Sequence, residues 1–340
     1  MKLLKTAVVG CGLFGENHVK AYASCPGAEC VAVYDLNAAR AKEIAAKYGV
    51  KAARSLDELA ADRSIRAVSI ATPDFAHTEP ALALLAAGKH LLIEKPMTTS
   101  TAEARQIVAA AKKARRTVMV DFHNRWNPPF LALKGRIDAG ELGKPVMGYI
   151  RLANPHTIPF GMLAWAGKSG PQWFLLPHVV DVMRWLIGGQ RALRVTAHAR
   201  RELLKRRGAD TYDAIQATVT FEDCFVTFET CWILPKSWPT LIDFQMSLVG
   251  SKSTAQINCT EQGLRLAGPQ RFETPFTVGL LDAFGVPEGF VPMPIYHFVD
   301  CILDGRPPVV TADDGLATTQ IIEAVVRSIE EQRTVEVAEI

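Results

Sequence analysis

The sequence predicts an α/β protein: a doubly wound parallel sheet first, then a second α/β domain whose strands alternate between two faces. Three observations predict it. The first 120 or so residues alternate short apolar runs with amphipathic helical stretches, the rhythm of βαβ units. The second half carries period-2 segments at "RVTAHA" (194–199), "AIQATVTF" (214–221), "FVTFETCW" (225–232) and "FQMSLVG" (244–250). A chain of 340 residues is also more than one core usually holds, so two domains are expected.

Taken in order, strands are expected at Thr6–Val9, Cys30–Tyr34, Ala67–Ala71, His90–Ile93 and Val118–Val120, with a short one near Lys51–Ala53. They are apolar runs rather than alternating ones, as when both faces of a strand are buried. Helices are expected between them at about 15–24, 38–48, 77–87 and 101–114. The last begins after Ser100, whose hydroxyl is placed to cap it, with Glu103 at the third helical position as in a capping box. It ends in Lys112, Lys113, Arg115 and Arg116, which suit the negative end of a helix dipole. In the second half "FEDCF" (221–225) reads as a hairpin turn, and helices are expected at 295–303 and about 312–332. Thr311 and Asp314 resemble a capping box with a shortened acid.

Composition narrows the function classes. Hydrophobic residues make up 49% and charged residues 21%, which argues against disorder. A net charge of +3 gives no reason to expect nucleic acid or an anionic membrane as partner. The basic cluster "RRELLKRRG" (200–208) reads as a solvated loop or helix end. Seven cysteines have spacings that suit neither zinc nor a disulfide framework, so no metal and reduced thiols in a cytoplasmic protein are expected. The start "MKLLKTAVVGCG" has no signal-peptide pattern, and no apolar run reaches the roughly 18 residues of a membrane helix.

In an open parallel sheet, ligands bind beyond the carboxyl ends of the strands. After the first strand comes "GCGLFG": Gly10 for the tight turn, Gly12 for close approach of a pyrophosphate, Gly15 for helix–strand packing, with Leu13 and Phe14 between them. The helix N-terminus that follows offers free N–H groups to phosphates. Asp35, followed by Leu36, ends the second strand twenty residues past Gly15, where an acid can bond ribose hydroxyls. An acid there repels a 2′-phosphate, so NAD is expected over NADP. "ATPDFAH" (71–77) then places Thr72, Pro73 and His77 at the same edge, and "EKP" (94–96) adds Glu94, Lys95 and Pro96.

These motifs together resemble the Gfo/Idh/MocA oxidoreductases, as does "FHNRWNP" (122–128), which is similar to the family's F-N-R-R-F/Y-D-P. The resemblance implies a Rossmann NAD-binding domain (1–122) and a substrate-binding and oligomerising α/β domain (123–340) with a large, mostly antiparallel open sheet. It implies a homodimer or homotetramer formed through that sheet, and a sugar or polyol as substrate. Glu94 and Lys95 would lie beside the nicotinamide, with Lys95 stabilising the oxygen of the reacting carbon. His123 and Arg125 would line the active site, His123 touching cofactor or serving as a second proton carrier. Trp165 resembles a Trp that the family places near the nicotinamide.

The family's other catalytic motif is an Asp followed four residues later by a His, on one helix. In "SGPQWFLLPHVVDVMRWL" (169–186) the His is His178, but the position four before it is Phe174. His178 remains the expected general acid/base. Asp181, one turn on, lies on the substrate side and either orients that imidazole or raises its pKa, or else is a helix-surface partner of Arg184 or a domain-contact residue. Trp173 and Phe174 would form an apolar platform for a substrate ring. The leading expectation is an NAD-dependent dehydrogenase of sugars, sugar derivatives or cyclitols. Two alternatives are a redox-neutral enzyme that oxidises a glycoside transiently, and a non-catalytic regulator responsive to NAD or sugar.

Overall fold

The computed structural model describes residues 3–163, 166–269 and 272–340. By contacts the chain forms two compact units: 1–123 with 280–319, and 124–279 with 320–340.

The first unit is the expected doubly wound sheet. Its strands are β1 (Leu4–Val9), β2 (Ala28–Tyr34), β3 (Lys51–Ala52), β4 (Ala67–Ile70), β5 (His90–Ile93) and β6 (Val118–Val120). They are all parallel, in the order β3-β2-β1-β4-β5-β6. Helices α1 (Leu13–Ser24), α2 (Ala38–Tyr48), α3 (Leu56–Ala61), α4 (Thr78–Ala86) and α5 (Thr101–Ala114) make the crossovers. β1, β4, β5 and β6 are buried along almost their whole length, which is why they read as unbroken apolar runs. Helix α3, absent from the expectation, is only six residues long but is capped by Ser55, whose hydroxyl accepts from Glu58 N–H at 3.1 Å.

The expected cap of α5 is corrected. The Ser100 side chain makes no cap hydrogen bond, and Glu103 instead accepts from Thr78 Oγ1 at 2.7 Å, because α4 packs beside α5.

The second unit holds the large sheet. In chain order come α6 (Pro128–Asp138), β7 (Pro145–Pro155), α7 (Pro171–Phe174), α8 (Leu176–Leu186), β8 (Ala192–Arg200), α9 (Leu203–Arg206), β9 (Ala214–Phe221), β10 (Phe225–Leu234), β11 (Asp243–Gly250) and β12 (Thr254–Asn258). With β13 (Val335–Glu336) the order is β12-β11-β7-β10-β9-β8-β13. Every pairing is antiparallel except β7 with β10. The inner face carries Ile215, Val219, Val226, Phe228, Trp232, Met246 and Leu248, packed with Val179, Val182 and Met183 of α8. The outer face carries Thr218, Thr227 and Ser247, the polar half of the alternation. The hairpin at 221–225 closes with Phe221 N–H donating to Cys224 O at 2.8 Å.

Two further helices follow, α10 (Met293–Asp304) and α11 (Ala312–Glu331). Thr311 and Asp314 form the reciprocal cap: Thr311 N–H donates to Asp314 Oδ2 at 3.0 Å and Asp314 N–H to Thr311 Oγ1 at 3.2 Å. The seven cysteines are free thiols. Among the described residues no helix is long and apolar enough to cross a membrane.

Candidate active site

In the first unit, the loop after β1 makes a cradle. Gly10 has φ +91°, and a Cβ there would lie 2.6 Å from the Ala71 carbonyl. At Gly15 a Cβ would lie 1.8 Å from Gly10 O, so only glycine lets α1 approach β1. Gly12 differs: a Cβ there would meet nothing within 4 Å. It precedes α1 with no side-chain cap, so no cap side chain takes up the first N–H groups of this twelve-residue helix. A diphosphate fits that chemistry. The loop is anchored from β2, where Cys11 N–H donates to Asp35 Oδ2 and Asn37 N–H to Asp35 Oδ1, both at 2.7 Å. Arg40 Nε donates to Cys11 O at 2.8 Å. Leu36, next to Asp35, is 92% exposed, while Leu13 is exposed and Phe14 half-buried.

Behind β4, Thr72 and Pro73 are half-buried at the same carboxyl edge. Buried His77 joins two loops there: Nδ1 lies 2.8 Å from Pro96 O and Nε2 2.9 Å from Thr72 O. The expected cofactor residue is thus a clasp between the "ATP" and "EKP" loops. The Lys95–Pro96 peptide is cis.

Lys95 is buried, at 6% exposure. Burial pulls its ammonium below the usual lysine range; the charge of Glu94 and then that of Asp74 oppose the fall, as Asp121 would wherever it is ionised. Glu94, expected against the cofactor, is turned inward. Its Oε1 lies 3.2 Å from His18 Nε2, and its Oε2 accepts from Lys95 N–H at 3.1 Å. Burial works to raise Glu94, but the hydrogen bond from His18 and the field of Lys95 prevail, and the net direction is down. Asp121, one residue past β6, goes the other way: burial and the Glu94 charge push it well above the usual carboxylate range. His18, Ser69 and Asp121 escaped the sequence reading, since their partners lie far along the chain. His123, considered as a second proton carrier, is held at about 4, chiefly by burial. It is therefore neutral at neutral pH, with its ring 5.8 Å from Phe290.

In the second unit the helix carrying His178 is interrupted. α7 ends at Phe174, and Leu175 separates it from α8, which Pro177 helps to start. Residues 174 and 178 therefore do not share one continuous helix. Phe174, expected as a substrate platform, packs in the core, its ring 5.6 Å from that of fully buried Trp232. Trp173 packs partly buried against the same core. Asp181 has a partner that the sequence did not indicate. It accepts from Arg125 in a bidentate pair, with Nε–Oδ2 at 2.9 Å and Nη2–Oδ1 at 2.6 Å. One polar neighbour of His178 is a residue the sequence did not single out: Asn124, whose side-chain nitrogen Nδ2 lies 3.2 Å from Nδ1. Trp165 lies outside the described residues.

Comparison with known proteins finds relatives along the chain. A model described as "Oxidoreductase family, NAD-binding Rossmann fold" matches residues 4–122, and the "GFO/IDH/MocA C-terminal domain" matches 130–256. An inositol 2-dehydrogenase of Streptomyces avermitilis is 30% identical over 353 residues, covering 99% of this chain and 96% of that one. The chain belongs to the Gfo/Idh/MocA oxidoreductase family. Inositol 2-dehydrogenase of Salmonella paratyphi B is 34% identical over 190 residues, a match that spans 54% of this chain and 54% of that relative, about half the length of each. The fold is shared with scyllo-inositol dehydrogenase from Lactobacillus casei, solved with NAD(H) and scyllo-inositol: TM-score 0.84 at 19% identity, over 99% of this chain and all of that one.

Proposed function

We propose that this chain is an NAD-dependent oxidoreductase that interconverts a ring alcohol and ketone of a cyclitol, sugar or sugar derivative. The observation that carries this reading is Lys95: a buried ammonium at the carboxyl edge of the Rossmann sheet, with an anion behind it, beside a glycine cradle suited to a diphosphate. Bound NAD supplies the hydride acceptor or donor. The curated relatives named inositol 2-dehydrogenase support a cyclitol-like substrate.

Lys95 donates a hydrogen bond to the substrate oxygen, where negative charge develops as the carbon is oxidised. His178 takes the hydroxyl proton and returns it in the reverse direction. An Asn amide can turn either its oxygen or its nitrogen to an imidazole. As placed, the amide nitrogen faces Nδ1; turned over, its oxygen meets Nδ1–H and Nε2 carries the lone pair that a base requires. Asn124 then does for His178 what a carboxylate does in other acid/base pairs, without adding charge. Asp35, whose two oxygens already accept from Cys11 and Asn37, sets a carboxyl group beside the cradle that disfavours a 2′-phosphate. A second copy of the chain is expected on the outer face of the large sheet, where Met147 and Phe225 are exposed beside the polar residues.

The test is absorbance in the NADH band with NAD or NADP and a panel of cyclitols, sugars and glycosides. NADH formation from cyclitols or sugars, with NAD preferred, is the expected result. Binding of NAD without turnover of any panel member would sink the dehydrogenase reading. Altered glycosides without net NADH would point to redox-neutral chemistry.

A further inference from the structure

Behind Lys95 lies a set of buried polar groups that the chemistry above does not use. His18, on α1, is buried, and each of its ring nitrogens has a partner. Nδ1 lies 2.9 Å from Ser69 Oγ, on β4, and Nε2 lies 3.2 Å from Glu94 Oε1 and 3.6 Å from Asp121 Oδ2. Ser69 Oγ in turn lies 2.7 Å from Tyr22 Oη. The His18, Glu94 and Asp121 atoms all lie within 4.8 Å of one another, and all three residues are buried.

The direction of this chain of hydrogen bonds can be assigned. Tyr22 is completely buried, and burial pushes its phenol far above the usual range, so its O–H stays a donor. It donates to Ser69 Oγ. Ser69 then gives its own proton to His18 Nδ1, which must accept, and the imidazole carries its proton on Nε2 and donates to Glu94. Glu94 thus receives two hydrogen bonds, from His18 and from Lys95 N–H, which favours its ionised form. Asp121 has no such support. Its Oδ1 is buried without a hydrogen bond, and His123 Nδ1 stands 4.0 Å away. Two carboxyl groups this close in a buried setting do not both ionise cheaply. The other charged group facing Lys95 is Asp74, from the turn after β4. Helix α10, which packs against β5, carries His297, Asp300 and Asp304, and none of these contributes to the fields at Glu94, Asp121 or Lys95.

We propose that Glu94, His18 and Asp121 form one proton-sharing unit that positions and charges Lys95: Glu94 is the anion, His18 the clamp that orients it, and Asp121 the neutral acid. Glu94 sits directly behind the Lys95 backbone and keeps the neighbouring ammonium protonated despite its burial. The set is not read as a divalent-metal site, because the Lys95 ammonium already answers the Glu94 charge and each His18 nitrogen has its own hydrogen-bond partner. His18 and Asp121 are positioning residues, acting through Glu94 and Lys95. Only the kinetic part of the test rests on the dehydrogenase reading.

Carboxyl ¹³C NMR of protein labelled at Asp and Glu, titrated with pH, reads the proton directly, with Glu94→Gln and Asp121→Asn assigning the two signals. The expected result is an Asp121 signal that stays in its protonated position at neutral pH, while Glu94 remains a carboxylate well into the acid range. Two ionised carboxylates at neutral pH, a protonated Glu94, or a stoichiometric metal ion in the purified protein would overturn the proposal. The kinetic part follows the alkaline limb of kcat/KM, where the ammonium is lost. Glu94→Gln moves that limb down by about one to three pH units, the effect of removing an opposite charge 4–6 Å away. His18→Leu moves it less, and Asp121→Asn leaves it in place. A merely structural role would lower melting temperatures without moving the limb, and an equal shift from Asp121→Asn would make Asp121 the anion. NAD binding and thermal melting check that each variant is folded. If the wild type turns over nothing, the dehydrogenase reading fails, and the NMR titration still decides the proton set.

Discussion

Asp181→Asn separates a structural carboxylate from a catalytic one. In the second unit Asp181 and Arg125 are 1% and 5% exposed, and they meet through two hydrogen bonds at 2.9 and 2.6 Å. Removing one partner of a buried pair leaves the other charged and unpaired, which costs about 3–5 kcal/mol. The Trp185 ring, 5.9 Å from the Arg125 guanidinium, offsets on the order of 0.5–1 kcal/mol of that. A net loss of about 3 kcal/mol corresponds to a drop in melting temperature of about 6–12 °C for a unit of this size. The assay is selective, because all six tryptophans lie between residues 126 and 238, inside the second unit, so tryptophan fluorescence follows that unit. Replacing both partners by apolar residues should recover most of the loss, since a well-packed apolar pair is often as stable as a buried ion pair. A drop below about 2 °C, joined to a displaced pH profile of activity, would refute the reasoning and return Asp181 to His178.

Other outcomes follow from the same geometry. Gly12→Ala should fold normally but weaken NAD binding, because its methyl enters open space over the α1 N-terminus, whereas Gly15→Ala should lower the melting temperature by displacing α1 from β1; equal effects on folding and binding would contradict this. His90 and His123 are both held at about 4, chiefly by burial, against an ordinary value of 6.5. The unfolded chain therefore binds protons that the folded chain refuses, so stability is full above about pH 6.5 and is lost as pH falls toward 4. The urea midpoint of the first unit should fall across that window, and His123→Asn should flatten the fall; an unchanged slope would contradict the assignment.

The first unit was largely legible because its strands are buried on both faces and each is followed by a helix. Strands β5 and β6 lie where the apolar runs place them, and β1 begins two residues earlier than Thr6, at Leu4. The central strand β7 was not legible. "PVMGYIRLANP" begins and ends in proline, contains Gly148, and becomes regularly buried only from Ile150, yet it pairs with β10 on one side and β11 on the other. The return of 280–319 to the first unit left no periodic signal either. At the site, motif spacing found Gly10, Gly12, Gly15, Asp35 and Lys95. It did not find His18, whose partners Ser69 and Glu94 stand 51 and 76 positions away, nor Asn124, which is 54 positions from His178. Such pairings depend on tertiary packing, which local periodicity does not encode. Packing also decides Phe174: an aromatic side chain suits a sugar-binding face and a core equally well, and only the contact with Trp232 separates them.

The most direct test of the account is Lys95→Ala, assayed for NAD affinity and for turnover of whichever substrate gives NADH. Loss of one donor at the developing oxyanion predicts a fall in kcat of about 10²–10³, with NAD affinity close to that of the wild type. Turnover close to the wild-type rate would contradict the central role given to Lys95, and so would loss of NAD binding together with activity.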